Sequence, residues 1–152
     1  KREIIINKLI KKLPNLRFDV YGLNGVEPIW SDEYLSALSN SKIGLNLSQG
    51  IAGKYYSSDR FSQLIGNGLM VIIDKKTRIG NFFNSDEIVL YNNISDLIKK
   101  ISFYSKNDHL RKKIAKNGRA KYFKYFNSKI IADFIINKTF NKNKKYYWEK
   151  YL

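Results

Sequence analysis

The chain has 152 residues, of which 43% are hydrophobic and 14% aromatic, and this composition is sufficient for one domain with a packed core. It contains no cysteine, which excludes disulfides and thiolate metal sites. No apolar run approaches the ~20 residues that a membrane-spanning helix needs. We therefore expect a cytoplasmic protein, either soluble or peripheral on the inner face of the membrane.

The formal net charge of +15 is distributed unevenly along the chain. Residues 98–152 carry 16 lysines and arginines against 3 acidic residues, whereas residues 1–97 carry 12 against 10. Such a basic half is typical either of solvated helix faces or of a surface that meets an anionic partner. Of the anionic partners, a membrane surface is favoured and nucleic acid is not.

The first elements are read from apolar spacing. Intervals of three and four predict an amphipathic helix over residues 2–13. The alternating segment LRFDVYG predicts a strand over residues 16–22, closed by Gly22. Residues 31–39 follow as a helix, with Ser31 as its N-cap and two carboxylates in its first turn.

Strands and helices then alternate along the chain. Apolar runs predict strands over residues 42–47, 69–74 and 87–91, and a helix over residues 59–67 connects the first two. This alternation is typical of an α/β fold with a Rossmann-like parallel sheet and flanking helices.

The pattern after residue 92 is wholly helical, with three predicted helices. The residues predicted to cap them are Ser95, Asn107 and either Asn127 or Ser128. Gly118 lies inside the second of these helices and predicts a break or kink, because glycine costs about 1 kcal/mol relative to alanine there. The chain is expected to close with a basic tail.

Three predicted loops should form one crevice. Ligands of parallel sheets collect beyond the carboxyl ends of the strands, and those ends are residues 21–24, 46–49 and 54–60. The segment between residues 47 and 69 is rich in glycine, serine and tyrosine and contains one arginine. This composition indicates a polar ligand that carries phosphate.

The strongest candidates surround the start of the predicted helix at Asp59. Ser57 or Ser58 can cap this helix, and Arg60 adds a fixed cation in its first turn, which suits a diphosphate. Gln63 lies on the same helical face and can bond sugar or ribose hydroxyls. Arg60 can instead pair with a carboxylate, the candidates being Asp32, Asp59 and Asp86.

The remaining candidates lie at the other strand ends. They are Asn46 and Ser48 for the ribose and sugar, and Gly22, Ile29 and Trp30 for the base. Trp30 can form a flat wall for a nucleobase or serve as a hydrophobic staple for the helix that follows it.

Other catalytic chemistries have little support. His109 is the only histidine, and it stands near a helix start among basic residues, so we interpret it as a surface residue. Asp86 and Glu87 are adjacent and should point to opposite faces of a strand, which does not make an acid–base pair. Neither a Walker motif nor GxGxxG occurs. No catalytic residue, cofactor or metal site is assigned.

The order of motifs resembles the C-terminal donor-binding domain of GT-B type glycosyltransferases, in particular the group 1 branch that includes spore-maturation-type proteins. The resemblance is carried by EYLSALSNSKIGLNLS, SSDRFSQLIGNGLMVIID and the segment from FFNSDEIVLYNN to KYFKYFN, and covers about residues 16–128. It implies that Arg60 faces the donor phosphates and that Ile29 and Trp30 lie by the base. Gln63 stands where the family has a ribose-binding glutamate, and Tyr55 stands where many relatives have a second glutamate.

The resemblance also implies an organisation and a reaction. Residues 1–128 would be a nucleotide-sugar-binding domain that lacks its first strand, and residues 129–152 a closing helix and basic tail. The acceptor domain would lie upstream of Lys1, so this part alone should be inactive. The co-substrate would be a nucleotide sugar, and the acceptor a saccharide, a lipid-linked sugar or a protein of a bacterial cell envelope pathway. The alternative is a degenerate or non-catalytic module that docks on anionic membrane or nucleic acid through its basic C-terminal helices.

Overall fold

A three-stranded parallel sheet forms the centre of the computed structural model, which describes residues 2–48, 50 and 53–151. The strands are β1 (Ile43–Asn46), β2 (Met70–Asp74) and β3 (Val89–Tyr91), and they lie side by side in chain order. In the parallel register, Ile43 pairs with Met70 and Ile72 pairs with Val89. The predicted Rossmann-like α/β fold is confirmed.

Six helices surround the sheet in the described part of the chain. They are α1 (Arg2–Lys12), α2 (Ser31–Ser39), α3 (Asp59–Gly66), α4 (Ile94–Lys106), α5 (Asp108–Tyr125) and α6 (Ser128–Thr139). Short 3₁₀ turns occupy Lys75–Thr77, Ile79–Asn81 and Tyr147–Tyr151. The described segments contain no helix that is both long enough and apolar enough to cross a bilayer.

The two faces of β2 belong to two separate apolar clusters. Val71 and Ile73 pack with the buried side chains of α3 on one face, while Met70 and Ile72 pack with residues of α1, α4 and α5, including Leu9, on the other. Successive residues of a strand point to opposite faces. The continuous apolar run MVII is therefore the signature of a strand covered on both sides.

Two glycines allow helices to approach the sheet closely. A Cβ at Gly44 in β1 would lie 2.8 Å from a methyl carbon of Leu64 in α3. A Cβ at Gly118 would lie 2.2 Å from the carbonyl oxygen of Glu87, just before β3. Helix α5 continues through Gly118 from Asp108 to Tyr125, so the predicted break is wrong: this glycine permits close packing.

The strand predicted over residues 16–22 is not formed, because this segment has no sheet partner. Leu16 and Phe18 pack against the core, so their alternation reflects burial without strand pairing. The chain then reverses in a tight turn between Leu23 and Val26. Asn24 and Gly25 both have positive φ, of 54° and 75°, as a type I′ turn requires.

Two of the predicted helix caps are also corrected. Ser31 lies inside α2, with φ of +50°, and Trp30 holds the N-cap position. In α4 the cap is Asn93, whose side chain accepts a hydrogen bond from the Asp96 N–H; Ser95 lies within the helix. Asn127 caps α6 as predicted, accepting from Ile130 N–H.

Residues 146–151, within the segment predicted as a closing helix and basic tail, pack on the core. Tyr146 and Trp148 are buried, and their rings stack with centroids 5.3 Å apart. Trp148 also contacts Phe126 and Phe134, which belong to α6 and the turn before it. Aromatic packing therefore holds residues 146–151 against the domain.

Candidate functional site

The carboxyl end of β1 and the start of α3 are joined by a partly buried hydrogen bond. The Ser58 hydroxyl donates to the side-chain oxygen of Asn46 over 3.0 Å, and Asn46 is buried. Ser58 occupies the N-cap position through its backbone only, because its side chain makes no cap bond. The first N–H groups of a helix lack intrahelical acceptors, so this junction presents donors beside the strand end.

Arg60 stands at this junction without a carboxylate. Its guanidinium donates to the carbonyl oxygen of Leu47 over 3.4 Å, and no acidic side chain lies within 4.0 Å of it in the described part of the chain. The alternative pairings with Asp32, Asp59 and Asp86 are thus not formed. Asp86 instead accepts a hydrogen bond from Asn117.

A second arginine, Arg2, belongs to the same electrostatic environment, and the sequence analysis missed it. Its Nε is buried and has no hydrogen-bond partner among the described residues. Burial lowers the pKa of Arg2, and the charge of Arg60 lowers it further. Two positive charges that repel one another are the electrostatic setting that an anion would relieve.

No local pattern could have identified Arg2. It is the first described residue of α1 and looks like one more cation on an amphipathic helix. Only the packing of α1 against the same core as β1 and β2 brings it near Arg60. More than 50 residues of chain separate the two arginines, so their electrostatic interaction is a property of the fold.

Aromatic residues border the arginines. Burial raises the pKa of Tyr34, with Asp59 adding to the rise and Arg60 opposing it, so Tyr34 lies near the start of α3. Tyr34 is one helical turn after Trp30, to whose carbonyl its N–H donates over 3.4 Å. Trp30 is 74% exposed, so it does not pack as a hydrophobic staple, while Ile29 is half-buried.

The other predicted site residues differ in their exposure and hydrogen bonding. Gln63 is half-buried one turn after Arg60, and its side chain has no hydrogen-bond partner within the described residues. Ser48 is half-buried, and Ser57 is exposed. Gly22 is held in the turn by its N–H bond to the Val26 carbonyl, and no bond joins it to the Arg60 region. Gln49 lies outside the described residues.

Tyr55 holds the loop that leads into α3. Its N–H donates to the Thr77 carbonyl over 2.7 Å, and its hydroxyl donates to the Tyr151 carbonyl over 2.9 Å. The same hydroxyl accepts from Asn81 over 3.0 Å. Tyr55 has a positive φ of 59°, which is uncommon for a bulky residue, and its three bonds fix the approach to Ser58.

The remaining polar candidates are structural. His109 is exposed in the first turn of α5. Glu87 pairs with Lys121 over 2.7 Å and so fixes α5 to the start of β3. Residues 2–48, 50 and 53–151 contain no group of three or more histidine, cysteine or acidic side chains that could hold a metal. A shallow cleft of about 400 Å³ on α5 is separate from the predicted site, being lined by Lys116, Arg119, Ala120 and Phe123.

A family model described as "Glycosyl transferase-like" matches residues 1–137. The chain belongs to the glycosyl transferase-like family. No curated protein and no solved structure matches it significantly. The family's general chemistry is the transfer of a sugar from a donor to an acceptor. Among the predicted site residues and their neighbours, positive charge is concentrated at Arg60, at the start of α3, and at Arg2.

Proposed function

We propose that this glycosyl transferase-like chain is the donor-binding domain of a GT-B type enzyme that uses a nucleotide sugar. The observation that carries the proposal is the guanidinium of Arg60 at the end of β1 and the start of α3, which pairs with no carboxylate of the described residues; the buried, unbonded Nε of Arg2, whose pKa Arg60 lowers, adds to it. A diphosphate is the anion that would neutralise both, and it would also accept from the first N–H groups of α3.

The other donor contacts follow from the positions around this pair. Asn46, Ser48 and Gln63 are assigned to the ribose and sugar hydroxyls, with Ser57 and Ser58 beside the diphosphate. Gly22, Ile29 and Trp30 are assigned to the nucleobase, which an exposed indole can stack against. Glutamine keeps the hydrogen-bonding capacity of glutamate without its charge.

Catalysis would consist of orienting the donor and stabilising the departing diphosphate. Arg60 and Arg2 supply positive charge where negative charge develops as the glycosidic bond to the diphosphate breaks. We assign the acceptor side to a second domain outside these residues, with a saccharide, lipid-linked or protein acceptor of the cell envelope. The proposed compartment is the cytoplasm, in line with the absence of cysteine.

The experiment is a titration of nucleoside diphosphates by calorimetry, after a thermal-shift screen of UDP, GDP, CDP and ADP has identified the base. Arg60→Ala should weaken binding of that nucleotide by at least ~1.5 kcal/mol, the scale of one charged hydrogen bond. Arg2→Gln should also weaken it.

The matched control is Arg17→Ala, which removes an exposed arginine that pairs with Asp19 and should leave the affinity unchanged. An Arg60→Ala variant that binds as tightly as the parent would remove Arg60 from the site. A screen in which no nucleotide raises the melting temperature of the folded chain would favour a degenerate domain.

Attachment to an anionic partner is a second candidate role, and it is compatible with sugar transfer. Of the 16 lysines and arginines in residues 98–152, five pair with carboxylates of the described residues. The unpaired excess favours an anionic surface. Binding to such a surface should weaken as salt is added.

A further inference from the structure

Helix α6 carries apolar residues on both its inner and its outer side: Ile130 and Phe134 pack against the core, and a second set faces solvent. Its only fully buried residue is Asn137, which is 8% exposed. Ile135, Ile136 and Phe140 are 57%, 51% and 68% exposed, and Ile131 is also exposed. A helix on the surface of a folded domain normally places its apolar stripe inward, so this outward apolar face needs an explanation.

A polar network fixes α6 in this orientation. The Asn137 amide donates to Asp133 over 3.0 Å and to the Tyr146 hydroxyl over 2.9 Å. Tyr146 in turn donates to Asp133 over 2.7 Å. Ile130 and Phe134 pack against the core on the same side. Rotating the helix to bury its isoleucines would break this network and expose the two apolar contacts.

Exposed apolar residues and two lysines share the outer side of α6. At about 100° per residue, Ile131, Ile135 and Ile136 span an arc of about 140° on the helix, which also includes Ser128, Ala132 and Thr139, and the C-cap residue Phe140 lies about 40° beyond Ile136. On the same projection, Lys138 falls about 20° beyond one border and Lys129 about 20° beyond the other. Lys129 is exposed, whereas the side chain of Lys138 is half exposed and pairs with Glu149. We call Ile131, Ile135, Ile136 and Phe140 the α6 face.

An anionic bilayer fits this face better than a second copy of the chain or nucleic acid does. A second copy of the chain would bring two strongly basic C-terminal halves together, which like-charge repulsion opposes. Nucleic acid is bound through stacking on aromatic rings and through cations, and the α6 face has three isoleucines, which do not stack, for its one aromatic ring, Phe140. Isoleucines bordered by lysines match the apolar and anionic layers of a membrane surface.

We propose that the α6 face is a membrane-docking surface that inserts its apolar side chains at the headgroup boundary of a bilayer containing anionic lipid. The proposal deepens the second candidate role above and makes no use of the donor site. Helix α6 would lie in the plane of the interface, since its 12 residues extend only about 18 Å. Lysines of the basic half would add attraction to the headgroups.

The test measures how the chain partitions onto large vesicles of phosphatidylcholine with and without phosphatidylglycerol. The wild-type chain should bind the mixed vesicles and bind phosphatidylcholine alone much more weakly. The double variant I135Q/I136Q should lower the partition coefficient for mixed vesicles by about tenfold or more, because it removes two apolar insertions. Circular dichroism and thermal melting should be unchanged.

The matched control is Ile4→Gln, which changes an isoleucine that is 72% exposed on α1 and should leave vesicle binding as it was. Vesicle binding that is equal for the wild type and I135Q/I136Q would overturn the α6 proposal while leaving an electrostatic attachment in place. Absence of any vesicle binding would overturn both.

Two further outcomes would also overturn the proposal. The first is a concentration-dependent dimer that I135Q/I136Q abolishes, because the α6 face would then bind a second copy. The second is binding of single-stranded RNA that the double variant abolishes. In each case the nucleotide titration tests the sugar-transfer proposal independently.

Discussion

Helices α3 and α6 have similar apolar spacing in the sequence but opposite relations to the core. Helix α3 buries Phe61 and Leu64 against the sheet and turns Arg60 toward the end of β1. Helix α6 buries the polar Asn137 and turns Ile135 to solvent. In both helices, the side chains that do not pack against the domain face the solvent.

The difference shows what determines the function of each surface. In α3 the apolar stripe satisfies the sheet, which leaves the cationic turn free for a polar ligand. In α6 the contact with the domain is made by hydrogen bonds around Tyr146 and by the packing of Ile130 and Phe134, which leaves the exposed isoleucines free for an apolar partner. Helical spacing identifies a stripe, and only the tertiary structure decides which side it faces.

Truncating one apolar residue in each helix tests this comparison most directly. Phe61→Ala should destabilise the fold by about 3–5 kcal/mol, because it leaves a cavity in the core. Ile135→Ala should change the free energy of unfolding by no more than about 0.5 kcal/mol, because that side chain is already in water. Urea unfolding measures both. Equal losses would mean that the α6 face is covered in solution.

The second largest effect concerns how closely α3 approaches the sheet. Gly44→Ala should cost about 1–3 kcal/mol, because its Cβ would overpack against Leu64. Gly66→Ala, at the end of α3, is the matched control: a Cβ there meets no atom within 4 Å, so the stability should hold or rise slightly. Thermal melting of both variants measures this difference in stability. A Gly44→Ala protein that is as stable as the parent would contradict the prediction.

Local patterns predicted the elements that form the site. The apolar runs of β1, β2 and β3 and the polar start of α3 follow from spacing and composition, and the rule for parallel strand ends then brings Asn46 to Ser58. The structure confirms that contact at 3.0 Å. The assignment of Arg60 to a donor diphosphate stays a prediction.

The features that sequence missed depend on distant contacts. The alternation over residues 16–22 arises because one side of this segment is buried. A strand also needs a pairing partner, which the periodicity of the segment does not predict. Arg2 approaches Arg60 only because α1 folds back on the sheet. Tyr146 and Trp148 lie among lysines in the sequence, and composition gave no sign that they would pack.

The smallest expected effect is a pH dependence of the network that orients α6. Hydrogen bonds from Lys144 and Tyr146 lower the pKa of Asp133. A carboxyl group whose pKa is lowered by folding stabilises the native state above its unfolded pKa of about 4, and this stabilisation is lost as the pH falls through the folded value. The stability advantage of the wild type over Asp133→Asn should therefore be present at pH 7 and disappear in acid below about pH 4.

Urea unfolding across that range measures this advantage, with the loss caused by Phe61→Ala as the pH-independent reference. An advantage that persists unchanged at pH 3 would show that the Asp133 charge does not hold α6, and the orientation of the helix would then depend on the packing of Ile130 and Phe134 alone.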